Sequence, residues 1–167
     1  MKAIGYVVVG ALTFVLGLVA AAVIAKEALP DAMFVEVASP YDHAETVRLI
    51  EQHIEDQPGW TLTGAYDHQK AILAGGGGDV GPYVILKFCK GTLAGRMLAD
   101  DERRFFGVMM PISAAIYTKA DGRTYVSLVN GTMLSRFFGG TYHDVINDVR
   151  LEVEEIFRFL HLKFTAF

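Results

Sequence analysis

Side chains suited to redox or ligation chemistry are few in this chain: one cysteine, Cys89, with five histidines and six methionines. His68, Cys89, Met97, Met109 and Met110 supply soft sulfur and imidazole donors, the set that suits copper or an axial position on haem. Nothing in their spacing closes a site. No histidine pair stands at i, i+4, no H-E-x-x-H run occurs, and without Cys-x-x-Cys-His there is no covalent haem. Methionines in this number also serve as core filler. No cofactor is therefore expected, and haem or copper held by Cys89, His68, Met109 and Met110 is the alternative. Cys89 itself has two readings. Buried, it is a small apolar residue; exposed beside Lys87 or Lys90, its thiolate is favoured and reactive.

Other catalytic patterns fail on their chemistry. The run Gly75-Gly76-Gly77-Gly78 invites a phosphate cradle, but no Lys-Ser or Lys-Thr follows, and Pro82 opens a strand where a cradle needs a helix N-terminus. It reads as a flexible loop. No serine sits in a Gly-x-Ser-x-Gly elbow. Asp67 and His68 are adjacent, and neighbours in a strand point to opposite faces, so they make no acid–base couple. No catalytic residue is assigned, and an enzyme is the less favoured reading. A single cysteine excludes an intrachain disulfide and a cysteine-based zinc cluster. The net charge of −4, with no basic block, argues against a nucleic-acid partner.

The elements that must position these residues begin with an apolar run. Ala3 to Ala25 holds no charge over 23 positions, roughly 34 Å as a helix, enough to cross a hydrocarbon core of about 30 Å. It exceeds the ~7–15 residues of a signal-peptide core, so residues 1–26 are read as a retained transmembrane anchor and 27–32 as a connector. Gly10, Gly17 and Ala21 fall on one side of that helix, where small residues let a second backbone approach. Lys2 and the terminal amine against Lys26 give a weak bias to an amino terminus inside, with the rest of the chain outside the membrane.

Residues 33–167 are the length of one compact domain. Strands are expected at Met33–Ser39, Trp60–Tyr66, Pro82–Cys89, Pro111–Lys119 and Arg123–Val129, with Trp60, Leu62 and Gly64 on one side of the second. Asp42 followed by Glu45 fits a capping-box start to a helix that buries Val47, Ile50 and Ile54. Asp121-Gly122 between two β-prone runs marks a hairpin. Thr92–Ala99 reads as a short helix. A last helix runs from Thr141 to about His161, burying Val145, Val149, Val153, Ile156 and Leu160. The order β-α-β-β-β-β-α is that of an α+β domain, an antiparallel sheet with helices on one face. Phe159, Phe164 and Phe167 make the chain end apolar enough for a partner or a membrane interface.

Several segments resemble the bacterial family known as domain of unknown function 302. They are Ser39-Pro40-Tyr41 with its helix, Gly59-Trp60-Thr61-Leu62, Gly81 through Cys89, the strand from Pro111 to Asp121-Gly122, and the terminal helix. The resemblance covers about residues 33–160 and implies a two-layer β-α-β4-α fold similar to that of TATA-binding protein. Ile112 stands where many family members carry a second cysteine, so a paired-thiol role lacks its second sulfur. The family has no settled activity. The expectation is a single-pass protein of the bacterial inner membrane with a periplasmic, non-enzymatic interaction domain. Its partners would be the lipid bilayer and other membrane-protein subunits of a larger complex, or further copies of itself. The alternative is a thiol-, metal- or haem-binding protein of the periplasm.

Overall fold

The computed structural model describes residues 2–164, and these fall into two units divided between Met33 and Phe34. The first is helix α1, Lys2–Met33, which continues through the positions read as a connector and carries Pro30 inside its last turn. Its apolar side chains Leu12, Phe14, Leu16, Leu18 and Ile24 are exposed, and Gly10–Met33 is long and apolar enough to cross a membrane. Gly10 and Gly17 have open space where a side chain would be.

The second unit is the expected α+β domain. Its strands are β1 Phe34–Ala38, β2 Trp60–Asp67, β3 Tyr83–Lys90, β4 Ile112–Thr118 and β5 Thr124–Val129. All neighbouring pairs are antiparallel, in the order β1-β5-β4-β3-β2. Helix α2, His43–Asp56, therefore carries the chain from one edge of the sheet to the other. Asp42 caps it by accepting from the Glu45 N–H at 2.9 Å. The reciprocal half of a capping box is absent, because the Glu45 carboxylate is taken by Arg48 at 2.6 Å.

Strand alternation sends Leu86 and Phe88, Ala114 and Ile116, and Val126 and Leu128 to one face, where all six are buried. Ile50 and Ile54 of α2 and Val153 and Ile156 of helix α6, Gly140–Ile156, close over them. The other face keeps Tyr83, Tyr117 and Tyr125 in a stacked row, an arrangement an antiparallel sheet tolerates beside water.

Four departures from the sequence reading have local causes. A bulge at Thr63 shifts the β2–β3 register between Leu62 and Gly64. Gly64 therefore lies opposite Lys87 rather than on the Trp60–Leu62 side, since one inserted residue flips every side chain after it. Second, Asp67 caps an unforeseen short helix, α3 His68–Ala74, by accepting from the Lys70 N–H at 2.8 Å. Third, the β3–β4 excursion holds helix α4, Gly91–Leu98, and also a 3₁₀ segment, Asp101–Met109. Fourth, helix α5, Gly131–Phe138, precedes α6, and α6 stops at Ile156, with 158–160 turning as 3₁₀ before His161 at φ 54°. The Asp121-Gly122 hairpin is present, with Gly122 at φ 76° and its N–H on the Lys119 carbonyl at 2.9 Å.

Candidate functional site

At the end of the sheet where β3 finishes and β4 starts, α4 follows Lys90 without a spacer. The 91–111 excursion must then arc around the sheet end to re-enter at Ile112. Between that arc and α6 it leaves a cavity of about 330 Å³. Leu93 and Met97 of α4 and Val145, Val149 and Val153 of α6 line one side, with Trp60 and Phe106 beside them, and the lining continues round the end of the sheet to Lys87, Cys89 and Ser113 on its open face. A volume near 300 Å³ with a mostly apolar lining falls at the small end of ligand sites.

Tyr142 is the polar member of this wall that stands out. It is 3% exposed, and its hydroxyl is buried without a hydrogen-bond partner among the described residues. Phe106 at 4.1 Å and Phe138 at 5.2 Å between ring centroids fix the ring. Burial pushes the phenol up, so it stays a neutral donor. A buried donor left unmatched costs about 1–3 kcal/mol.

Carboxylates outside the lining hold its cations and the terminal segment in place. Glu152 accepts from Trp60 Nε1 at 2.6 Å and pairs with Lys90 at 2.7 Å, which joins β2 and β3 to α6. Glu154 accepts from Arg150 and from the backbone N–H of Phe164, both at 3.1 Å, and from Lys163 at 3.0 Å. Those contacts lay the terminal segment against α6, with Phe164 as part of the cavity wall. Burial alone would raise the Glu154 carboxyl. Lys163, the Phe164 N–H and Arg150 outweigh it and hold the group below its ordinary range.

The residues singled out from sequence separate here. Cys89, Met109 and Met110 all border the cavity. His68 does not: Cys89 pairs with Thr61 and Asp67 with Val84, which puts His68 about 17 Å along the ladder at the opposite end, with its ring 5.9 Å from that of Tyr83. Cys89 is half-buried. Burial pushes its thiol up, against a weaker pull down from the Lys90 N–H, so the thiolate is not the favoured form. No cluster of three His, Cys, Asp or Glu side chains suited to a metal occurs among the described residues. Phe159 is half-buried, with its ring 4.9 Å from that of His53 and 6.3 Å from that of Tyr41. Phe164 is half-buried against the core, and Phe167 lies outside the described residues.

One constellation missed from sequence resembles a hydrolase triad and is not one. Ser135 Oγ lies 3.2 Å from His143 Nδ1, and His143 Nε2 lies 2.9 Å from Asn147 Nδ2. The Asn147 amide donates, so Nε2 accepts and Nδ1 carries the proton. Ser135 is fully buried and donates to the Thr132 carbonyl at 2.7 Å. The histidine is thus a donor to a serine that has already spent its hydrogen, which ties α5 to α6 and activates nothing.

An antiparallel sheet with helices on one face and an apolar cavity at its end defines a small α+β domain. The chain matches the family described as domain of unknown function DUF302 over residues 35–160, and it belongs to that family. Among solved structures, it is similar to the crystal structure of the uncharacterized conserved protein DUF302 from Bacillus stearothermophilus. The two share 19% identity at a TM-score of 0.67, over 77% of this chain and 98% of that one. No curated protein matches this chain.

Proposed function

We propose that this chain is a membrane-tethered, non-enzymatic binding protein whose DUF302 domain holds a small apolar molecule in the cavity between α4 and α6. The Tyr142 hydroxyl carries the reading. A buried donor without an acceptor is rare in a folded protein and commonly marks a function. It stands behind the apolar wall, so it suits a ligand that brings its own acceptor and tips the Tyr142 ring inward on binding. In this reading α1 crosses the bacterial inner membrane once and the domain lies on the periplasmic side. Protease added to spheroplasts should then digest the domain, and full protection would reverse that orientation.

The test of the cavity is thermal stabilisation of the full chain in phosphatidylcholine vesicles, read by far-ultraviolet circular dichroism. Decanol should raise the Tm of the wild type by mass action and leave that of Ala94→Trp, which fills the cavity, unmoved. Equal shifts in both, or none in either, would overturn the reading.

A second reading is an accessory subunit that binds other membrane proteins, or further copies of itself, through α1. The open space at Gly10 and Gly17 on an exposed apolar helix favours it. Association should weaken when Gly17 and Ala21 become leucine. The apolar residues Phe159, Phe164 and Phe167 are a further proposed contact for such a partner.

A further inference from the structure

The charges on the cavity wall are of one sign. Lys87, Lys90 and Arg150 border it, and no aspartate or glutamate does among the described residues, although the chain as a whole carries −4. Two of these cations are committed from behind. Lys90 pairs with Glu152 at 2.7 Å and Arg150 with Glu154 at 3.1 Å. Lys87 is not committed. It is half-buried on the open face of β3, its ammonium lies 5.6 Å from the Tyr66 ring centroid, and it makes no ion pair among the described residues. A half-buried lysine without a carboxylate partner, bordering an apolar cavity, is drawn to an anion, because the low-dielectric wall strengthens the attraction while one side stays open to water.

From this we infer that the ligand is an amphipathic anion, an apolar chain or ring carrying one carboxylate, with its body in the cavity and its head at Lys87. The inference rests on the cavity reading above and adds the chemical class to it. The apolar wall accounts for the body. The one-signed edge accounts for the head and disfavours a cationic amphiphile of the same size. The same chemistry is offered by a fatty acid drawn from the bilayer and by a water-soluble aromatic carboxylate.

The experiment is isothermal titration of the full chain in phosphatidylcholine vesicles, with protein-free vesicles as baseline. The probes are decanoate, decanol and 4-phenylbutyrate, and the proteins are wild type, Lys87→Met and Ala94→Trp. Lys87→Met keeps the aliphatic stem over Tyr66 and removes only the charge. The expected result is decanoate binding about tenfold tighter than decanol in the wild type, a difference of about 1.4 kcal/mol, erased by Lys87→Met. Tighter binding of decanoate than of phenylbutyrate assigns the fatty-acid source, and the reverse order assigns the soluble one. Equal affinity for decanoate and decanol, insensitive to Lys87→Met yet lost in Ala94→Trp, would overturn the anion and keep the cavity. Binding that survives Ala94→Trp, or no binding of any probe, would remove the cavity reading itself.

Discussion

Replacing Tyr142 with phenylalanine separates stability from binding in one substitution. The hydroxyl is sealed from water and has no acceptor among the described residues, so its removal takes away a desolvation penalty and breaks no hydrogen bond. The ring remains, and with it the tilted contact with Phe106 and the edge-on contact with Phe138. An unmatched buried polar group costs about 1–3 kcal/mol, and taking the low end, Tyr142→Phe should stabilise the free domain by about 1 kcal/mol. For a domain of this size that is a rise of about 3 °C in Tm, readable from Trp60 fluorescence in vesicles. Ligand affinity should move the other way. Losing one neutral hydrogen bond, about 0.5–1.5 kcal/mol, weakens binding roughly two- to tenfold. A lower Tm would show that the hydroxyl already has a partner and that the argument from an orphan donor is wrong. A higher Tm with unchanged affinity would leave the donor as plain strain in the wall and detach it from ligand recognition.

Glu154→Gln should destabilise the domain by about 1–3 kcal/mol in urea, because the carboxylate is 7% exposed and holds two cations and a backbone N–H. Its folded pKa lies below the unfolded value near 4.5, so its contribution is complete at neutral pH and disappears as pH falls through the folded value. Wild type and Glu154→Gln should therefore draw together in stability as pH falls below the ordinary glutamate range, and a difference that stays constant through acid titration would contradict the assignment. Ser135→Ala should lower stability by about 1–2 kcal/mol, leaving the His143 Nδ1 donor unpaired, with no change in ester hydrolysis above background; loss of a measurable esterase rate would revive the triad. Leucine at both Gly17 and Ala21 should reduce energy transfer between labelled copies or subunits in vesicles, and unchanged transfer would exclude this side of α1 from the interface.

The fold was legible because its determinants are local and periodic. Alternation in Pro82–Cys89, the 3.6-residue stripe through Val145, Val153 and Ile156, and the Asp121-Gly122 turn each state one element within a dozen residues. Where reading failed, a tertiary fact had overridden a local one. The β2 alternation looks unbroken through Gly64, and only pairing with β3 reveals that Thr63 is an extra residue. Asp67 reads as one more strand position until its carboxylate is seen to accept from Lys70 and open α3.

The candidate site was illegible for a different reason, which bears on what it can do. Its wall draws on Trp60, Leu93, Phe106, Tyr142 and Arg150, from segments that no spacing rule connects, and most are residues that sequence reasoning files as core. Catalysis needs a few groups in fixed mutual geometry, and such constellations often leave short motifs behind. A binding cavity needs only that packing stop short of completion beside a donor or a charge, and that leaves no motif. Three donors read from sequence as a ligand set, Cys89, Met109 and Met110, do border the cavity. His68, the one imidazole in the set, sits at the other end of the ladder. With the thiol pushed up by burial and the imidazole distant, the proposed ligand would meet the sulfurs as soft apolar wall. The chemistry that remains to discriminate a ligand is the Tyr142 donor and the Lys87 charge.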